Sequence, residues 1–259
     1  MNSHSSQTLL SADDPPPVRA INPDGASPFL LIGDHAGNAV PSALRSLGLT
    51  DAEMTRHIAW DIGIAALGER LSEALDAVFI RQSYSRLVID CNRDPQAPDA
   101  IPATSDGTSI PANCDLSQSD RAMRECAIQA PYQAAIAGEL ARRDYAGLDT
   151  ILISLHSFTP AIGGIARPWH AGVLHSDGDT SFAISMLNLL AAQGDLTIGD
   201  NQPYAMDGID YTVPLHAFPS RRRYAEIEIR QDLLAASDQQ EKWAALLAPL
   251  FIAAAERSR

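Results

Sequence analysis

The sequence predicts an α/β protein, a three-layer αβα arrangement with helices on both faces of a mixed, largely parallel sheet. Short apolar runs rich in β-branched residues alternate along the chain with longer stretches of helical spacing, as in strands connected by crossover helices. The clearest strand runs from Asp149 to Ser157 and carries His156 near its end. A second runs from Pro28 into His35, so two histidines lie at the ends of two predicted strands.

Size and composition indicate one enzyme-sized domain. The chain has 259 residues, of which 46% are hydrophobic, and that is enough to build a single large core. Residues 1–20 are mostly polar and include the run Pro15-Pro-Pro17, which predicts a flexible N-terminal arm. Residues 21–259 are then expected to form one domain.

Charge and cysteine usage exclude several classes of partner. A formal net charge of −13 argues against nucleic acid or an anionic membrane, because phosphate binding needs a basic face. The three cysteines lack CxxC spacing, which argues against a disulfide framework and a thiolate zinc site and favours a reducing cytoplasm. We expect no transmembrane helix and no signal peptide.

The other elements are predicted from local patterns. Thr50 and Glu53 form a capping box that begins a helix running to about Asp76, with a break near Gly63. Residues 94–113 and 209–219 are predicted to be loops. Further strands are predicted at Val78–Arg81, Arg86–Asp90, Ala171–His175 and Tyr224–Arg230, and further helices at Ser119–Asp144, Ser181–Gln193 and Gln240–Arg257.

Polar residues at strand ends are the candidates for chemistry. His35 and His156 are natural partners for one metal ion or one substrate, because ligands gather beyond the carboxyl ends of strands in open α/β sheets. Taken singly, each is better interpreted as a half-buried structural histidine, and it is the pair that favours a shared site. Arg93 offers a fork that suits a carboxylate, and the alternative is an ion pair that locks its loop. Glu226 and Glu228 are two apart on a strand and share a face, either functional or simply exposed to solvent.

Familiar catalytic motifs are missing from the sequence. It contains no GxSxG elbow, no GxxxxGK[ST] phosphate loop, no GxGxxG and no HExxH. Several short segments between Phe29 and Leu234 instead resemble the N-formylglutamate amidohydrolase family and, more distantly, the zinc carboxypeptidases and aspartoacylases. These segments are Gly33–Pro41, His57–Gly63, Tyr84–Arg93, Leu155–Phe158, Arg167–His170 and Ile227–Asp232.

The resemblance implies a fold, a reaction and roles for individual residues. The fold would be phosphorylase/hydrolase-like, as in zinc carboxypeptidases, and the reaction zinc-dependent hydrolysis of a small N-acyl amino acid, first of all N-formyl-L-glutamate to formate and glutamate. His35 and His156 would hold one zinc ion per chain, and Glu228 would be the general base. The substrate carboxylate would bind Asn92 and Arg93, with help from Arg86.

One position departs from the pattern. The relatives have His-x-x-Glu where this chain has Asn38, and a neutral amide is a poor zinc ligand. Asp61 is the leading candidate for the third ligand, although its spacing from His57 also fits a helical His–Asp contact. His216, in a predicted loop, is a further candidate for substrate contact.

Two other functions stay open from the sequence. One is an aminoacylase or short-peptide carboxypeptidase on the same scaffold. The other is a small-molecule-binding protein that kept the pocket and lost the metal, for which Asn38 is the best argument.

Overall fold

A seven-stranded sheet forms the centre of the molecule, with its strands in the order β1-β3-β2-β6-β11-β9-β10. The structure is a computed structural model and describes residues 8–259. Its strands are β1 (Val18–Ile21), β2 (Phe29–Gly33), β3 (Val78–Gln82), β4 (Thr104–Ser105), β5 (Thr108–Ser109), β6 (Ile151–Phe158), β7 (Ala161–Ile162), β8 (Ile165–Ala166), β9 (Ala171–Leu174), β10 (Ile198–Asp200) and β11 (Tyr224–Arg230). Its α-helices are α1 (Asp51–Met54), α2 (Ile64–Leu75), α3 (Gln118–Arg124), α4 (Ala130–Tyr145), α5 (Ser181–Ala191), α6 (Thr212–Ala217) and α7 (Ser237–Arg257).

The predicted fold class is confirmed. Strand β2 pairs in parallel with β3 and β6, β6 with β11, and β9 with β10, whereas β1 is antiparallel to β3 and β9 is antiparallel to β11. Helices α2, α5 and α7 pack on one face of this sheet, and α4, α6 and several loops pack on the other. The result is the expected three-layer arrangement with a mixed, largely parallel sheet.

The central strands place the catalytic candidates on one face. Alternate residues of a strand point to opposite faces. In β11, Ile227 and Ile229 join the core under α2, α5 and α7, so Glu226 and Glu228 point to the other face, where Tyr224 is packed. The same alternation in β6 sends His156 to this second face. The predicted shared face of the two glutamates is therefore confirmed, but it is buried rather than exposed to solvent.

Three local predictions were wrong. The capping box of Thr50 and Glu53 is present, but α1 ends at Met54 and residues 55–63 form turns before α2. Gly63 ends this interruption with a φ of 86°, where a side chain would collide with Leu234. Residues 86–90 do not form a strand. The amides of Leu87 and Val88 donate to the hydroxyl and the carbonyl of Ser85, which makes a turn at residues 86–88, and the apolar side chains fill the core from a loop. Residues 212–217 form α6 within a predicted loop.

Two edge strands were not foreseen. β1 pairs with β3, so residues 18–20 belong to the sheet and not to the predicted arm, whose residues 1–7 lie outside the described residues. β10 is the short strand at the other edge. Neither has the continuous apolar run that marks a central strand. None of the helices in residues 8–259 is both long and apolar enough to cross a lipid bilayer.

Candidate active site

His35, Asp61 and His156 converge beside the carboxyl ends of β2 and β6. One ligand atom from each residue lies within 4.8 Å of the others, and all three residues are buried. His35 follows β2 directly, and its backbone carbonyl accepts a hydrogen bond of 2.9 Å from the Asp61 amide. The Ser157 amide donates to Asp61 Oδ2 over 3.1 Å. The turn at residues 55–63 therefore brings Asp61 to the two histidines, and the helical contact with His57 is not formed.

Carboxylates hold the far side of each imidazole. His35 Nε2 lies 2.6 Å from Asp90 Oδ1, and Arg86 clamps the other oxygen of Asp90 through two hydrogen bonds of 2.6 and 3.0 Å. His156 Nε2 lies 3.3 Å from Asp34 Oδ2, and its Nδ1 lies 3.0 Å from Asp61 Oδ2. Metal-ligating histidines usually carry such a carboxylate on the second nitrogen, which orients the ring.

The donor set fits a metal ion. His35 Nδ1 is buried, lies 3.6 Å from Asp61 Oδ2 and has no hydrogen-bond partner among residues 8–259. Two imidazole nitrogens and one carboxylate form the ligand set of many catalytic zinc sites. Asn38 does not belong to this group, because its amide donates to the Met54 carbonyl over 2.6 Å. A buried group of two histidines and one aspartate that could bind a metal is thus present. It contains Asp61, the candidate third ligand from the sequence, and not Asn38.

Charge coupling within this group shifts the titration of its members. Burial lowers the pKa of His35 and so does Arg86, but the carboxylates of Asp90 and Asp61 outweigh both and raise it. The pKa of His156 is raised well above its usual value, because Glu226, Asp34 and Asp61 outweigh the effect of burial. Burial raises the pKa of Asp61, but the two histidines lower it further than burial raises it.

A cavity of about 460 Å³ opens in front of the group. Both glutamates of β11 reach it, Glu228 from the register position opposite His156 and Glu226 from the position opposite Ser154. Burial raises the pKa of Glu228 to about 7, and burial raises that of Glu226 well above its usual value. Oε2 of each glutamate has no hydrogen-bond partner within the described chain. Glu228 is therefore a buried carboxyl that titrates near neutral pH beside the candidate ligands.

Arg93 reaches the mouth of the cavity. Its Nε donates to Asp99 Oδ2 over 3.2 Å, and its Nη1 donates to the Asn92 carbonyl over 2.8 Å. The side chain of Asp99 is 58% exposed, so this ion pair is at the surface and weak. Arg86 also lines the cavity, but it is bound to Asp90 and lies 3.8 Å from Asp61. Of the two arginines that line the cavity, Arg93 is thus the one whose guanidinium has no ion pair with a buried carboxylate of residues 8–259.

Two predicted substrate contacts have other partners. Asn92 lines the cavity, yet its Oδ1 accepts hydrogen bonds from the amides of Tyr211 and Thr212, and its Nδ2 donates to Asp210. His216 lies 2.8 Å from Gln133 Oε1 and is not among the described residues that line the cavity. Asn92 thus anchors the start of α6, and the structure does not bring His216 to the cavity.

Some site residues were missed from the sequence. Asp34 and Asp90 lie inside the segments Gly33–Pro41 and Tyr84–Arg93, but only their contacts with His156 and His35 reveal a role. The loop before α6 also contributes to the cavity through Tyr204 and Asp210. The sequence around these two residues has no pattern that indicates which surface they face.

Comparisons with known proteins identify the family of this chain. The model of the N-formylglutamate amidohydrolase family matches residues 27–235. A gene product of Agrobacterium tumefaciens with a crystal structure is 34% identical, with a TM-score of 0.92 over 96% of this chain and 98% of its own. An N-formylglutamate amidohydrolase from Ralstonia eutropha shares the fold, with 19% identity and a TM-score of 0.66 over 93% of this chain and 99% of its own.

No curated protein matches the chain. The family match nevertheless covers most of the sequence and includes His35, Asp61, His156 and Glu228. The chain therefore belongs to the N-formylglutamate amidohydrolase family and is a hydrolase that acts on amide bonds.

Proposed function

We propose that this protein is a metal-dependent hydrolase of small N-acyl amino acids, with N-formyl-L-glutamate, cleaved to formate and L-glutamate, as the first candidate substrate. The observation that carries the proposal is the convergence of His35, Asp61 and His156 at a cavity that also contains Glu228. The family supports the reaction type and the first substrate to test. The three free cysteines fit the cytoplasm expected from the sequence.

His35, Asp61 and His156 would hold one zinc ion per chain, and Asp90 and Asp34 would orient the two imidazoles. When bound, zinc supplies a Lewis acid that polarises the amide carbonyl and lowers the pKa of a coordinated water to about 7. The protein contributes the orientation of the ligands and a cavity that limits access of bulk water.

Glu228 is the proposed general base. A carboxyl with a pKa of about 7 is poised to accept a proton from the attacking water and to return it to the nitrogen of the leaving amino acid. Its position opposite His156 across the β6–β11 pair places it next to the ligand group. Glu226 sits one side-chain step earlier, where Oε2 lies 3.9 Å from His156 Nε2, on the side of the ring away from Asp61.

Arg93 is the proposed anchor for the substrate carboxylate. The fork of the guanidinium matches a carboxylate, and an incoming carboxylate replaces the exposed Asp99 at little cost. Arg86 assists by its positive charge while it remains bound to Asp90. Asn92 supports the same wall of the cavity through Asp210 and the first turn of α6.

An aminoacylase acting on longer acyl groups is the second candidate. A cavity of about 460 Å³ lies within the range of pockets that hold much larger ligands than a formyl group requires. The non-catalytic alternative rested on Asn38, and Asp61 now supplies a carboxylate at the site.

The test is metal analysis of the purified protein together with product assays. We expect about one zinc per chain and release of formate from N-formyl-L-glutamate that stops when a chelator removes the metal. N-acetyl and N-propionyl amino acids assayed in parallel separate the aminoacylase. Protein that binds no metal, or that is fully metal-loaded and cleaves none of these amides, would contradict the proposal.

A further inference from the structure

A chain of side-chain hydrogen bonds connects His156 to the outer helix α6. His156 Nε2 lies 3.3 Å from Asp34 Oδ2, and the hydroxyl of Thr212 donates to Asp34 Oδ1 over 2.7 Å. The side-chain amide of Gln133 donates to the Thr212 oxygen over 3.1 Å. His216 Nε2 lies 2.8 Å from Gln133 Oε1. Four contacts therefore lead from the candidate metal site to a half-buried histidine outside the cavity.

The chemistry of each group determines which partner donates in each of these hydrogen bonds. Thr212 has one hydroxyl proton, and Asp34 is both nearer and more strongly accepting than the Cys91 carbonyl, which lies 3.2 Å away. One amide proton of Gln133 goes to that same carbonyl over 2.8 Å, and the other goes to Thr212. Oε1 of Gln133 must then accept, so His216 donates from Nε2. The hydrogen bonds that link His216, Gln133 and Thr212 are therefore all donated in the direction of Asp34.

Asp34 depends on these donors because water does not reach it. Asp34 is 1% exposed, and Thr212 is fully buried. Another side-chain donor to Asp34 is Ser154 Oγ, which lies 3.3 Å from Asp34 Oδ2 and also 3.0 Å from His156 Nε2. A buried carboxylate that loses a donor carries the full cost of the missing hydrogen bond.

The backbone explains why these residues meet. Thr212 and His216 are four residues apart on α6, so both project from one side of that helix. The helix is held at its start by Asn92 Oδ1, which accepts the amides of Tyr211 and Thr212 over 2.9 Å each. Gln133 reaches the pair from α4. Burial lowers the pKa of His216 to about 4, so this histidine is neutral at pH 7.

We propose that Thr212, Gln133 and His216 are positioning residues for the metal site, which act through Asp34 to keep the proton of His156 on Nε2 and its Nδ1 free for the metal. The proposal rests on the proposed function, in that it assumes His156 to be a ligand through Nδ1. Helix α6 would then support the metal site through Thr212 and His216, neither of which is among the described residues that line the cavity.

Zinc affinity is the first measurement, made by competition with a chromophoric chelator. Thr212→Val keeps the shape of the side chain and removes the hydroxyl, and we expect it to weaken zinc binding by about tenfold or more, the usual scale for residues that orient ligands. Thr212→Ser restores the hydroxyl and should bind zinc like the parent. His216→Phe should fall between the parent and Thr212→Val, because it removes only the outermost donor.

Thr150→Val is the matched control. Thr150 is buried next to the opposite end of β6, and its hydroxyl also donates one hydrogen bond, to the Leu148 carbonyl over 3.2 Å. This variant should lose stability like Thr212→Val but retain the zinc affinity of the parent. Equal zinc affinities in the parent and in Thr212→Val would overturn the proposal, and so would equal weakening in Thr150→Val.

A second measurement needs no metal. In metal-free protein with ¹⁵N-labelled histidine, NMR reports solvent exchange of the proton on His156 Nε2. We expect slow exchange in the parent and in Thr212→Ser, and exchange at least about tenfold faster in Thr212→Val. Unchanged exchange in Thr212→Val refutes the positioning role even if the parent proves to bind no zinc, an outcome that would refute the proposed function separately.

Discussion

Replacing Glu228 by glutamine is the most informative perturbation of the site. The change keeps the size of the side chain and removes the acid. Glu228 is 5% exposed, and burial raises its pKa from 4.5 to about 7. At about 1.4 kcal/mol per pKa unit, ionising this carboxyl in the folded protein costs on the order of 3 kcal/mol more than in the unfolded chain.

The sign of the effect on stability follows from proton binding. Since the pKa of Glu228 is higher in the folded than in the unfolded state, the folded protein holds the extra proton between about pH 4.5 and pH 7. The free energy of unfolding of the metal-free parent therefore falls across this window as pH rises. Glu228→Gln lacks that contribution, so it should gain roughly 3 kcal/mol relative to the parent between pH 4.5 and pH 8.

The effect on catalysis has the opposite sign. Zinc-loaded Glu228→Gln should show a kcat at least about a hundredfold lower, the usual scale for losing a general base. Glu226→Gln is the matched control on the same strand face. Burial raises the pKa of its carboxyl well above the usual range, which favours the neutral form that glutamine resembles. This variant should keep most of its activity.

Three measurements decide the matter: kcat for formate release, zinc content, and urea unfolding of metal-free protein from pH 4.5 to pH 8. A large loss of kcat in Glu226→Gln with normal activity in Glu228→Gln would show that the general base is Glu226 and not Glu228. If the free energy of unfolding changed with pH in the same way in the parent and in Glu228→Gln, the pKa of Glu228 would not be shifted in the folded protein.

Three further predictions follow from the ligand group and the cavity. Asp61→Ala should lose most of its zinc by elemental analysis, while Asn38→Glu should bind zinc like the parent because Asn38 faces Met54; full metal in Asp61→Ala would contradict the ligand assignment. Arg93→Lys keeps the charge but loses the forked guanidinium, so KM should rise and kcat/KM should fall by a factor that corresponds to about 2 kcal/mol of transition-state stabilisation. N-formyl amino acid amides, which lack the carboxylate, should be poor substrates for the parent. Unchanged kinetics with every carboxylate substrate would make Arg93 structural. Zinc binding near pH 7 should release protons, because neighbouring carboxylates raise the pKa of His35 and His156 and favour their protonated forms, whereas zinc binds neutral imidazole; calorimetry in two buffers of different ionisation enthalpy measures this, and zero release would contradict it.

The central strands and their contributions to the site could be predicted from the sequence. β2 and β6 are mostly apolar runs because they are buried on both faces of a largely parallel sheet, and such runs are visible without a structure. The near-alternating pattern of β11 was enough to put Glu226 and Glu228 on one face. The capping box at Thr50 was equally readable, because it is a contact between residues three apart.

Tertiary structure decided what local patterns do not encode. Asp61 was a candidate ligand from the sequence, but its place beside the two histidines depends on the turns at residues 55–63 and on the hydrogen bond from its amide to the His35 carbonyl. The apolar run at residues 86–90 looked like a strand, but it fills the core from a turn and lets Arg86 clamp Asp90 behind His35. Periodicity reports which side of an element is apolar, whereas the partner on the other side depends on contacts between residues far apart in the chain.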